Sequence, residues 1–155
     1  MKLSWNMSPL FYPKSIAVIG ASNQRKKWGF RVLDNIISGD YKGKIFPINT
    51  QEKEILGLKT FSNINDVPEP VDLAIIIIPQ DRVYQAIEDC TKKKVKASVI
   101  ITAGFGEIGP EGLLEQRKIV QLSKENEIPF VGPNGNGIIS NSVSLFAWMI
   151  PLFPI

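Results

Sequence analysis

A chain of 155 residues, 44% hydrophobic and 21% charged, is long enough for one packed domain and lacks the polar, highly charged balance of a disordered chain. The formal charge of +3 is too small to argue for nucleic acid and suits a small polyanion. Histidine is absent, so these residues supply no imidazole base, nucleophile or phosphate carrier, and the single cysteine excludes an internal disulfide or a multi-cysteine metal site, as expected in a reducing cytoplasm.

In chain order, the opening residues lack the charged-then-apolar pattern of a signal peptide, and no apolar run approaches the ~20 residues that span a bilayer; no membrane association is expected. The first β-rich run is Ser15–Ile19, followed by Gly20, Ala21, Ser22 and Asn23, then by a helical pattern over Trp28–Ser38 with Val32, Leu33, Ile36 and Ile37 on one face. A weaker strand at Lys44–Ile48 ends in Asn49, Thr50 and Gln51. Residues 73–78 are apolar at every position, which marks a central parallel strand covered on both faces. Pro79, Gln80 and Asp81 follow, then a helix over 81–94, where Val83, Ala86, Ile87 and Cys90 share a face and put Cys90 in the core. Lys92, Lys93 and Lys94 close that helix, where the macrodipole favours cations. A strand at 98–101 leads into Thr102, Ala103, Gly104, Phe105 and Gly106, a helix over 111–127, a weak strand at 129–131 and a turn from Gly132 to Gly137. The apolar stretch 144–155, carrying Pro151 and Pro154, reads as a connection whose packing partner is missing, which gives one domain over 1–143.

Alternating strands and helices with crossovers of this length predict a Rossmann-like α/β fold: an open, mostly parallel, doubly wound sheet with helices on both faces. Ligands of such sheets bind outside the carboxyl ends of the strands, and every strand end here is rich in small, polar or turn-forming residues. The segment 20–29 opens a helix whose free N–H groups favour phosphate, and Arg25, Lys26 and Lys27 read either as added phosphate contacts or as a solvated surface. It is no Walker A loop, because the Gly-Lys-Ser/Thr ending is missing. A G-x-G-x-x-G at Gly104, Gly106 and Gly109 follows a later strand and runs into Pro110. Asn49 and Thr50 stand where an acidic residue would hold the ribose of NAD, which argues against NAD. Lys53 is close enough to meet a 2′-phosphate, which leaves NADP open, and the 3′-phosphate of coenzyme A makes a similar demand.

Six motifs, LFYPKSIAVIGAS at 10–22, FPIN at 46–49, EILGLKTF at 54–61, VDLAIIIIP at 71–79, ITAGFGE at 101–107 and GPNGNGIIS at 132–140, occur in the order found in the CoA-binding domain of NDP-forming acyl-CoA synthetases, which this chain resembles; it is more distantly similar to the succinyl-CoA synthetase alpha subunit. The resemblance implies coenzyme A as the ligand. Its phosphates would lie against Gly20, Ala21, Ser22, Asn23, Arg25, Lys26, Trp28 and Gly29, with Asn49 and Lys53 nearby. The pantetheine arm would lie along Ile78, Pro79, Ile101, Thr102, Ala103 and Gly104, ending near Asn134. In that family a lysine often meets the nucleotide phosphates where Gln51 stands here, and the Gly-Pro-Asn turn continues with Cys-Leu or similar where this chain has Gly135 and Asn136.

The family also implies a phosphorylated histidine in a following domain and an ATP-grasp unit for the nucleotide, as domains or partner subunits. By this resemblance the residues here bind CoA for an acyl substrate and carry no catalytic residue of their own. A stand-alone CoA or nucleotide sensor, the CoA-binding part of a protein acyltransferase and, more remotely, an NADP oxidoreductase remain as alternatives.

Overall fold

The computed structural model describes residues 5–152. In chain order the elements are α1 (Ser8–Phe11), β1 (Ser15–Ile19), α2 (Trp28–Ser38), β2 (Lys44–Ile48), β3 (Glu54–Ile55), β4 (Leu58–Lys59) and β5 (Leu73–Ile76). They continue with α3 (Val83–Lys93), β6 (Ala97–Ile100), α4 (Pro110–Glu125), β7 (Phe130–Val131), β8 (Gly137–Ser140) and β9 (Leu145–Trp148). Five strands form one sheet in the order β2-β1-β5-β6-β7, every neighbouring pair parallel. The open doubly wound sheet expected from the alternation is the one that forms. Crossovers through α2, α3 and α4 follow the expected pattern, while the β3–β4 hairpin occupies the longer path from β2 to β5.

The sheet's pleat divides the core in two. Ile16 and Val18 of β1, Leu73 and Ile75 of β5 and Val99 of β6 face Val32, Leu33 and Ile36 of α2. Ala17 and Ile19, Ala74 and Ile76, and Ile100 face Val83, Ala86, Ile87 and Cys90 of α3 together with Ile119 of α4. Residues of the central strands are buried on both faces, which accounts for their unbroken apolar run. Cys90 is fully buried, and loss of hydration, with the nearby Asp89 charge second, pushes its thiol up to about 12.

Element ends differ from the sequence expectation where the backbone finds other partners. Strand β5 stops at Ile76 because Ile78 leaves the ladder and gives its N–H to the Thr102 hydroxyl at 3.3 Å. Helix α3 starts at Val83 because Gln80–Arg82 forms a tighter 3-10 turn first.

The larger difference is the end of the chain. Strand β9 pairs antiparallel with β8, and Leu145 and Ala147 are completely buried in the cluster beneath α2. Asn35 of α2, only 3% exposed, donates to the carbonyls of Trp148 (2.9 Å) and Ile150 (2.8 Å) and accepts from the Leu152 N–H (3.1 Å). The segment read as an unpartnered connection is therefore packed as far as Leu152, and the boundary expected at 143 falls inside a hairpin. Its apolar residues alternate inward with a period of two, the mark of a strand with one buried face. Phe153, Pro154 and Ile155 lie outside the described residues.

At the opposite end of the sheet, the nearly buried Asp72 ties three segments together. It accepts the Lys14 N–H at 2.7 Å and pairs with Lys96 at 2.7 Å, while its own N–H goes to the Ser15 hydroxyl at 3.0 Å. Burial works to raise its carboxyl pKa, but the Lys96 and Lys14 hydrogen bonds and charges together outweigh it and hold the group below its usual value of 3.8. A depressed folded pKa stabilises above the unfolded value and loses that contribution as pH falls through the folded one. Asp72→Ala should cost about 2 kcal/mol at pH 7. Urea unfolding between pH 7 and pH 2 should show wild-type stability declining below 3.8, with this part of the decline missing in the variant.

Candidate functional site

In the observed strand order the chain leaves β1 towards β2 on one side and returns to β5 on the other, so the β1/β5 junction is the topological switch point. The loops leaving it diverge around a crevice of about 680 Å³, a size suited to a nucleotide-like ligand. Its floor is Ile19, Gly20, Ile77 and Ile78, and its walls come from the loops after β1, β2 and β5, from the path between β4 and β5 and from the first turns of α3.

The turn after β1 can be built only without side chains at two positions. Gly20 has φ +95°, and a Cβ there would stand 2.0 Å from the Ile77 carbonyl oxygen. A Cβ on Gly29 would stand 1.9 Å from the Gly20 carbonyl oxygen, so the first turn of α2 lies directly on the strand turn. Close approach of helix and strand at this point sets Lys27, the residue before α2, in the crevice wall.

Of the expected ligand contacts, Gly20, Ala21, Ser22, Asn49, Ile78 and Pro79 line the crevice, as do Lys27 of the basic run and Thr50, Gln51 and Asp81 of the strand-end turns. Asn49 and Ser22 also hold its shape. Asn49 donates to the Ala21 carbonyl at 2.8 Å and accepts from the N–H groups of Gln51 (2.7 Å) and Glu52 (3.2 Å), locking the loop after β2 to the loop after β1. The buried Ser22 accepts the Gln24 N–H at 3.1 Å. Thr102 sits beside the crevice and spends its hydroxyl on the Ile78 carbonyl at 2.8 Å, joining the ends of β5 and β6. Ile101 is buried, Ala103 is exposed, and Asn134, with φ 56°, gives its N–H to the Thr102 carbonyl at 2.9 Å.

The remaining expected contacts do not line it. Asn23, expected to contact the ligand, is bonded to the Glu52 carboxylate, to the Glu54 carbonyl at 2.9 Å and to the Leu56 N–H at 3.1 Å, so its side chain fastens the first loop to the β3–β4 hairpin. Arg25 lies 5.9 Å over the Phe30 ring, and Trp28, half exposed, carries Arg31 at 5.9 Å over its own ring. Lys26 and Lys53 are exposed outside the crevice wall, Gly29 acts through close packing, and Gly104 borders a different groove.

That second groove, about 1100 Å³, runs between α3 and α4 past Tyr84, Ile108 and Leu114. It is larger, but it lies along helix flanks away from the switch point, where an open α/β sheet holds its ligand. The loop between the two depressions is braced by its own side chains. The Gly104 N–H (2.5 Å) and the Phe105 N–H (3.1 Å) both donate to the Glu107 carboxylate, the Gly104 bond foremost in holding that carboxyl below its usual range, and the Gly106 N–H goes to Gln116 at 3.0 Å.

Several wall residues escaped sequence reasoning: Ser62, Asn63 and Ile64 from the path between β4 and β5, and Arg82, Gln85 and Asp89 from the start of α3. For the first group the only signal is local: Asn63 and Asp66 form a reciprocal capping box, which marks a turn and says nothing of the crevice. For the second, the strand-end segment Pro79, Gln80 and Asp81 stops one residue before Arg82. No group of three or more His, Cys, Asp or Glu able to hold a metal ion occurs among the described residues, and no helix there is long and apolar enough to cross a membrane.

Comparison with known proteins places this geometry. Residues 14–141 match the family described as the CoA binding domain. The acetate–CoA ligase [ADP-forming] II subunit alpha of Pyrococcus furiosus is 43% identical over 141 residues, covering 90% of this chain and 30% of that protein. The acetate–CoA ligase [ADP-forming] of Methanocaldococcus jannaschii is 40% identical over 150 residues, 97% of this chain and 21% of that protein. Among solved structures, the dinucleotide-forming acetyl-coenzyme A synthetase 1 of Ca. Korarchaeum cryptofilum, in complex with phosphate and ADP, superposes with a TM-score of 0.91 at 38% identity over 94% of this chain and 31% of that one. The chain thus spans between about a fifth and a third of the length of these relatives. A match of this extent, on a sheet whose switch-point turn is closed by Gly20 and Gly29, makes the chain a member of the CoA-binding domain family.

Proposed function

We propose that this domain binds coenzyme A across the carboxyl ends of its strands, as the CoA-binding part of an NDP-forming acyl-CoA synthetase. The observation that carries the reading is the switch-point crevice, whose turn admits no Cβ at Gly20 or Gly29, backed by the family match over residues 14–141. Its residues fit the ligand in kind. Lys27 suits the pyrophosphate, and apolar Ile78 and Pro79 suit the pantetheine arm, which would run over Thr102 towards the Asn134 turn.

In the whole reaction an acyl-CoA, ADP and phosphate would interconvert with the free acid, CoA and ATP. CoA supplies the thiol nucleophile. The residues of this chain bind and aim it, and Asn49 and Thr102 keep the ends of β1 and β2 and of β5 and β6 in register for that task. With no histidine among the 155 residues, the phosphate-carrying step falls to a histidine-bearing domain and nucleotide binding to an ATP-grasp unit, in the same polypeptide or in partner subunits, and the assembly works in the cytoplasm.

Calorimetric titration of the chain with CoA and with NADP tests the reading. Saturable binding of CoA with no heat from NADP is expected; NADP binding with CoA silent would overturn it. A domain that binds CoA yet never associates with histidine-bearing or ATP-grasp partners would be a sensor instead of part of a synthetase.

A further inference from the structure

Two cations line the crevice, Lys27 and Arg82, and they come from different walls: Lys27 precedes α2 in the loop after β1, and Arg82 ends the turn after β5. Neither forms an ion pair with a carboxylate among the described residues. Coenzyme A likewise carries two separate phosphate centres, the pyrophosphate and the ribose 3′-phosphate. Lys53, the residue closest in sequence to the expected position for the second, is exposed outside the crevice wall.

Resting on the CoA reading, we infer that Arg82, not Lys53, receives the 3′-phosphate and selects CoA over its dephospho form. The backbone that carries Arg82 is fixed on both sides, by the Arg82 N–H to the Pro79 carbonyl at 3.0 Å and by Val83, which is fully buried against the sheet. The guanidinium extends from that anchor with a planar pair of donors matched to phosphate oxygens. Its neighbours make the selection sharp. Asp81 and Asp89 line the same wall; Asp89 is held by Asn63 at 2.8 Å, by Gln85 at 3.1 Å and, more distantly, by Lys92 at 3.7 Å. Without Arg82, the charged side chains left on this wall are the carboxylates of Asp81 and Asp89.

Titration of the wild-type chain, Arg82→Gln and Lys53→Gln with CoA and with dephospho-CoA separates the outcomes. Wild type should prefer CoA by about tenfold, as one charge-assisted phosphate contact supplies. Arg82→Gln should lose or reverse that preference while its affinity for dephospho-CoA shifts less than about twofold, and Lys53→Gln should keep the wild-type preference. An Arg82→Gln chain that still prefers CoA tenfold, a Lys53→Gln chain that loses the preference, or a wild type indifferent to the 3′-phosphate would each overturn the assignment and leave the CoA reading standing. A wild type that binds neither ligand would instead bring down the CoA reading, and the assignment with it. Arg82 is exposed, so unchanged thermal unfolding of the variant is expected and checks that the fold is intact.

Discussion

Gly29→Ala should lower the unfolding temperature by about 10 °C and weaken CoA binding by more than about tenfold. The added Cβ would stand 1.9 Å from the Gly20 carbonyl oxygen and 2.9 Å from its carbon, both backbone atoms that no rotamer change can move aside. Relief requires α2 to lift from the end of β1, which opens the packing of Val32 and Leu33 on Ile16 and Val18 and moves Lys27, at the helix entry, out of the crevice wall. Overpacking at a backbone contact of this kind costs about 3 kcal/mol. Gly135→Ala is the matched control. A Cβ there would meet only ordinary contacts, the nearest at 3.6 Å, so the substitution should stabilise by up to about 1 kcal/mol through the unfolded chain. The same contrast shows that the departure from the Cys-Leu pattern at this turn is not forced by space. Differential scanning calorimetry of the two variants, followed by CoA titration, decides the matter; a Gly29→Ala chain that melts and binds as wild type would show that the helix is free to shift.

Asn35→Leu should cost about 3 kcal/mol and release the segment after β9. Three hydrogen bonds vanish together, and the carbonyls of Trp148 and Ile150 lose the amide that Asn35, itself only 3% exposed, brings to them. Leucine is close to asparagine in size, so the loss is polar and leaves little cavity to relax. Amide exchange should accelerate at Leu152 well beyond the change seen in β1 or β5. Uniform acceleration across the sheet would mean that Asn35 supports the whole domain and has no special hold on the exit segment.

Much of the fold is legible because a parallel sheet buried on both faces advertises itself. The run 73–78, the helical face of Val83, Ala86, Ile87 and Cys90, and the turn residues after each strand all point one way. What stayed hidden follows from longer-range causes. The β8–β9 hairpin reads as an apolar tail because its partners, α2 and β6, lie far back in sequence, and a short alternating run with prolines nearby carries a weak signal of its own. At the site, strand ends found the crevice, while side-chain roles were less readable. Asn23 looks like a ligand contact in the sequence, yet its amide and carbonyl are both taken by the β3–β4 segment, whose position depends on the path between β2 and β5. Arg82 lies one residue beyond the strand-end segment Pro79, Gln80 and Asp81, in the 3-10 turn that precedes α3.

The place of β1 in the sheet bears on how the chain acquires its shape during synthesis. β1 is made first among the strands yet lies inside the sheet, pairing with β2 on one edge and with β5 on the other. Until Ile76 has left the ribosome, one hydrogen-bonding edge of Ser15–Ile19 is open to any passing strand, and the bonds from Asn35 to the last hairpin, across 113 to 117 residues, close later still. A nascent chain is therefore most exposed to misassembly between the emergence of β1 and that of β5, and the hairpin that covers α2 acts as a seal which no fragment ending before it possesses.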